Sequence, residues 1–158
     1  MQANRIEVDP ELPANRGVLA YLEGRAPGAP LVQPPEEHPD PYLQAGSHPD
    51  IVERLWNAIG PALPEDCRAM VLGTPGLVHP HAQVVMAVAL GTSYALRLEA
   101  DDLQAAVAAG ADLVHEYLIP KGWVLDLPKQ FGSDWVFGSW EDREPAWCAR
   151  AYHTWNSR

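Results

Sequence analysis

His79-Pro80-His81 sets two imidazoles two residues apart on a turn shaped by proline. Imidazoles at that spacing offer half of a metal site, with His115 or an acid as the third ligand. Beside a carboxylate, the same rings are candidate general bases. An isolated H-x-H pair specifies little, and a solvated loop is its commoner meaning. No metal is assigned on this pattern, and His79, His81 and His115 are the residues to check. Cys67, between Asp66 and Arg68, needs a base from one of these histidines to act as a nucleophile. Its surroundings match no cysteine-nucleophile pattern, and a buried free thiol is the usual alternative. Cys148 falls within an apolar helical face and reads as core. Glu99, Asp101, Asp102, Glu116 and Asp126 supply carboxylates for an acid pair, whose separation would decide its chemistry. The chain has no G-x-S-x-G, no P-loop and no dinucleotide fingerprint. The Gly73-Thr74-Pro75-Gly76 stretch lacks the lysine of a phosphate cradle. No catalytic residue and no cofactor are assigned.

Aromatic side chains give a different signal. Of the six tryptophans, Trp123, Trp135, Trp140, Trp147 and Trp155 fall in the C-terminal quarter, together with Phe131 and Phe137. The segment FGSDWVFGSWEDREPAW interleaves rings, glycines and charges. Most such rings belong to a core. Trp135 and Trp140 are the ones expected at the surface, where large rigid rings beside acids make a recognition patch. Trp135, Trp140, Glu141 and Asp142 are therefore the expected partner-binding residues.

The formal net charge of −10 limits the partners. It repels phosphate backbones and anionic lipid, and it attracts basic proteins. No apolar run approaches the ~20 residues that span a bilayer. The N-terminus shows no charged region followed by an apolar run, so no secretory signal is read there. Cys67 and Cys148 form no redox or metal motif, which points to reduced thiols and a cytoplasmic setting.

Three apolar runs are placed to carry these residues. Ala69–Leu72, Val84–Leu90 and Tyr94–Leu98 read as consecutive antiparallel strands, with turns at Thr74-Pro75-Gly76 and Gly91-Thr92-Ser93. Upstream, Ile51, Val52, Leu55, Trp56 and Ile59 recur at helical spacing behind a start signal at Ser47-His48-Pro49-Asp50, with Ser47 as the cap. Downstream, Asp101 and Gln104 suggest a capping box for an alanine-rich helix that stops at Gly110. Ala111–Ile119 and Trp123–Leu127 read as a strand pair, and Asp134–Phe137 as a further short strand. A last helix starts at Glu144-Pro145, with Trp147, Cys148, Ala151, Tyr152 and Trp155 along one face. Residues 1–46 hold eight prolines, which forbid long helices and central strands. One short helix from about Asn15 to Glu23 survives there, and the rest should be extended.

These features predict an α+β fold, with a mainly antiparallel sheet of about five strands and helices packed on one face. A Pro-rich extended arm (1–46) precedes a single domain (47–158). The leading functional expectation is a non-enzymatic acidic domain that binds a protein partner, plausibly a basic one, as an immunity-type inhibitor of a basic toxin or enzyme does. A small hydrolase-like or metal-dependent enzyme using the loop histidines is the second reading. A subunit whose sheet edge or arm builds a homodimer is the third.

Overall fold

In the computed structural model, residues 6–35, 47–116, 128–138 and 144–156 are described. Among the described residues, six strands form one sheet, in the order in which they occur along the chain, and every neighbouring pair is antiparallel. They are β1 (Val32–Gln33), β2 (Arg68–Val71), β3 (Thr74–Val78), β4 (Val85–Leu90), β5 (Ser93–Arg97) and β6 (Trp135–Gly138). The helices are α1 (Pro13–Arg25), α2 (Pro49–Glu53), α3 (Ala100–Ala108) and α4 (Glu144–Asn156). The α+β class and the antiparallel sheet are those expected.

The first turn differs from the expected one. Leu72 and Gly73 take φ of 46° and 77°, so the chain reverses between Val71 and Thr74. Two positive φ values in a two-residue loop give the turn whose twist matches a hairpin. Thr74-Pro75-Gly76 is consequently strand rather than turn, and the meander gains β3. Pro75 is tolerated because the ladder between β3 and β4 starts one residue later, at Gly76. Gly76 itself is held close, since a Cβ there would meet the carbonyl oxygen of Ala87 at 2.6 Å. The second reversal falls at Gly91-Thr92, with Gly91 at φ 60°, where a turn is expected.

Helices cover both faces of the sheet, not one. On the first face, Met70, Leu77, Met86, Tyr94, Leu96 and Val136 pack against α2 and α4. α2 runs on through a π-helical stretch, Arg54–Ile59, that buries Leu55, Trp56 and Ile59. Its cap is the imidazole of His48, which accepts from the Asp50 N–H, and not Ser47. On the second face, Val71, Val78, Val85, Val88, Ala95 and Trp135 pack against Val18, Leu19, Tyr21 and Leu22 of α1. The reason is visible in β4, which is buried along its length and shows no polar alternation. An antiparallel strand with one wet face would alternate.

The described N-terminal residues are thus part of the packed unit. Asn15 on α1 is wholly buried, and its side chain is fully used. Its Nδ2 donates to the carbonyls of Asp9 and Gln83 at 2.8 Å each, and its Oδ1 accepts from the Val85 N–H at 2.9 Å. α1 also lies tight on a short 3-10 turn, Pro128–Phe131: a Cβ on Gly17 would collide with the Gln130 carbonyl oxygen.

The expected strand Ala111–Ile119 is reduced, within its described part, to one bridge between Leu113 and Val136 and a 3-10 turn, Val114–Glu116. β6 occupies the place beside β5, so this segment meets only the outer edge of β6. The expected strand Trp123–Leu127 lies outside the described residues. Glu99, not Asp101, precedes α3 as its N-cap, without a side-chain cap bond, so the expected capping box does not form.

Replacing Asn15 by Ala should therefore cost about 2 kcal/mol, because it strands the buried Val85 N–H, while the Asp9 and Gln83 carbonyls each keep a backbone donor, Leu12 and Asp9. Urea denaturation measures this; a loss under about 1 kcal/mol would show that the bridge carries little of the docking energy.

Candidate functional site

The loop between β3 and β4 brings His79 and His81 to the connector that leads into β2. His81 Nε2 lies 2.9 Å from both carboxylate oxygens of Glu65. Tyr152 of α4 donates its hydroxyl to Glu65 Oε2 at 2.6 Å. The ring of His79 stacks on Tyr152, with centroids 4.7 Å apart and planes 26° from parallel. Cys67, two residues after Glu65, donates its thiol to the Glu65 carbonyl oxygen at 3.3 Å. Two of the three candidate histidines and the candidate thiol thus gather round one carboxylate. His115 does not join them: it sits in the turn after α3, 3.7 Å from the Glu116 carboxylate.

What the cluster can do is decided by its protonation states. His79 is fully buried, and its Nδ1 accepts from the backbone N–H groups of His81 and Ala82 at 3.2 and 3.0 Å. Both bonds require a lone pair on Nδ1, so the ring is neutral with its proton on Nε2. Burial, with the His81 charge beside it, pushes its pKa down. The Tyr152 hydroxyl and the His81 ring hold the Glu65 carboxyl below its usual range. The bond to Glu65 pushes the Tyr152 phenol up to about 12. Burial pushes the Cys67 thiol up to about 12 as well, helped by the negative charges of Asp66 and Glu65. A nucleophilic cysteine needs the opposite shift. A general acid or base is poised near the working pH, and these shifts run away from it. The arrangement therefore works as a clamp, in which one carboxylate ties α4 and the β3–β4 loop to the entry of β2.

Among the described residues, no three His, Cys, Asp or Glu side chains are placed to hold an ion. Of the carboxylates considered for an acid pair, Glu99 binds Arg97 at 2.9 Å and Asp102 meets Arg150 at 3.1 Å. Asp126 lies outside the described residues.

Trp135 corrects an expectation. Its side chain is fully buried, edge-on to Phe131 at 5.1 Å, and offers no surface for a partner. Strand alternation in β6 explains this, because Trp135 pairs with Arg97 and points to the α1 face. Trp140, Glu141 and Asp142 lie outside the described residues. Glu65 and Tyr152, the centre of the cluster, carry no signal of it in the sequence. Tyr152 was legible only as one member of an apolar helix face, and nothing local joins it to a residue 87 positions away. No family model, curated protein or solved structure matches this chain.

The pH dependence of stability follows from the depressed pKa of His79. In the unfolded chain this ring takes up a proton at the ordinary value of 6.5, while the folded state resists it. The unfolded state binds more protons in that window, so stability is present above 6.5 and falls as the pH drops. Glu65, also depressed, adds a further loss as the pH falls below 4.5. Urea midpoints measured from about pH 7 to 5 should fall in the parent and fall less in His79→Gln. Parallel slopes in the two proteins would show that His79 is free to protonate in the fold.

Proposed function

We propose that this chain is a non-enzymatic acidic domain that binds a basic protein partner, in the manner of an immunity-type inhibitor of a basic toxin or enzyme. The observation that carries this reading is the formal net charge of −10. A surface of that sign steers a basic partner in and rejects acidic ones. The chemistry of the Glu65 cluster supports it from the other side, since its thiol and phenol are held protonated and its buried imidazole neutral. Stability and recognition then reside in different parts of the molecule. Among the described residues, no helix is long and apolar enough to cross a membrane.

One observation favours the enzymatic reading. Glu65, His81 and Tyr152 converge, and the His81 side chain is 61% exposed, open to a solute. Replacement of Glu65 by Gln would abolish any turnover that depends on this pair.

The binding reading is tested by purifying the tagged chain from its own cells at low and at high salt and weighing what accompanies it. The expected result is a protein of net positive charge, retained at low ionic strength and released at about 0.5 M salt, where charge attraction is screened within a few ångströms. An acidic companion, or one indifferent to salt, contradicts the reading.

A further inference from the structure

α3 is an unusual helix for a packed domain, because only Ala106 of its nine residues is buried. Val107, 41% exposed, is the one large hydrophobic side chain among the described residues that stands out in solvent. It does not stand alone. Leu103 and Ala108 of α3 join Leu113 beside it to line an open groove of about 540 Å³, with Gln104, His115, Glu116 and Ser133 around it. Leu103 and Val107, and Gln104 and Ala108, lie at the four-residue interval that puts side chains on one helix face. An apolar groove rimmed by polar groups is the usual form of a docking site.

Acids predominate in the chain that forms this groove, with Arg97 and Arg150 pairing two of them. From Leu98 to Glu116 the chain carries Glu99, Asp101, Asp102, Asp112 and Glu116, and no lysine or arginine. These five acids set against the net charge of −10 make a local concentration of negative potential. Glu99 and Asp102 are engaged by Arg97 and Arg150, whereas Asp101, Asp112 and Glu116 are exposed. Asp101 stands one turn from Gln104 on α3, and Glu116 lines the groove itself.

We infer that the groove between α3 and Leu113 docks a partner segment in which an aliphatic side chain is flanked by lysine or arginine. The aliphatic group fills the space over Leu103, Val107 and Leu113. The flanking cations lie against Asp101, Asp112 and Glu116. The inference rests on the proposed binding of a basic partner and gives that partner a place and a pattern. It also moves the contact surface away from Trp135, whose ring is inside.

The test uses the full chain labelled with nitrogen-15 and three synthetic peptides: Lys alternating with Leu, Glu alternating with Leu, and Lys alternating with Ser. The Lys/Leu peptide should shift the amide signals of residues 103–108 and 113–116, and the other two should bind about tenfold more weakly or worse. Val107→Ser, at an exposed position, should keep the fold and weaken the Lys/Leu peptide by about fivefold or more. Asp101→Asn with Glu116→Gln should weaken it too and flatten its salt dependence. Binding of the Lys/Leu peptide with shifts elsewhere overturns the groove and leaves the basic-partner reading standing. Equal binding of the Glu/Leu peptide overturns the charge pattern. Failure of both lysine peptides to bind anywhere overturns the two proposals together. Concentration-dependent shifts of the same amides before any peptide is added would assign the groove to a second copy of the chain and overturn the inference.

Discussion

The carboxylate of Glu65 is where three pieces of the chain that fold apart are brought together. β2 to β5 form by local reversals, each strand pairing with the one before it. α4 arrives from the far end of the sequence and has no such guide. Its apolar face supplies much of the packing through Trp147, Cys148, Ala151 and Tyr152. Apolar burial has no direction, so it does not set the register of the helix on the sheet. The bond from Tyr152 to Glu65 does, and the stacking of His79 on the same phenol supplies a second contact. His79 is in turn held by two backbone N–H groups of its own loop. Of the groups that look reactive in the sequence, His79, His81 and Cys67 make their bonds within this cluster, and His115 does not.

The opposite face is organised on the same logic. α1 buries Val18, Leu19 and Leu22 against the sheet, and Asn15 fixes its position through three hydrogen bonds. A buried amide is costly unless all its groups are paired, and this one is paired on both sides. Arg97 makes a comparable tie near the end of β5. It reaches the Ala14 carbonyl, Glu99 and Asp134, and it lies over the ring of Trp155. Polar side chains at a few points set the positions of helices whose attraction to the sheet is otherwise general.

Much of this fold was legible in the residues, and the failures have physical causes. The runs around Met70, Met86 and Leu96 are strands because dense branched and apolar residues favour a pleated, buried surface. Gly91 marks a turn because it accepts a positive φ. Leu72 hid the other turn, since a leucine at φ 46° follows no preference that a sequence displays. Once that turn moved, Pro75 moved from turn to strand. The second helical face was in view in VVMAVAL, whose lack of alternation signals burial on both sides. Trp135 was read as a surface ring because glycines and acids surround it, yet pairing with β5 fixed which way it points. The type of the histidines is no guide to their state. Burial and two backbone donors made His79 a neutral structural ring.

In the proposed reading, it is the surface of the chain that meets a partner. That surface is acidic, and on α3 it carries apolar side chains that the sheet does not cover. The central claim is that the cluster at Glu65 ties α4 and the β3–β4 loop to the sheet, with His79 as a neutral structural ring. Nitrogen-15 spectra of the histidine rings, recorded from about pH 8 to 5, examine it most directly. The expected result is a His79 ring protonated on Nε2 at the upper end of that range, which takes up a second proton only below the ordinary value of 6.5. A His79 ring that titrates near neutrality, or that carries its proton on Nδ1, would place a working base beside Tyr152 and contradict it.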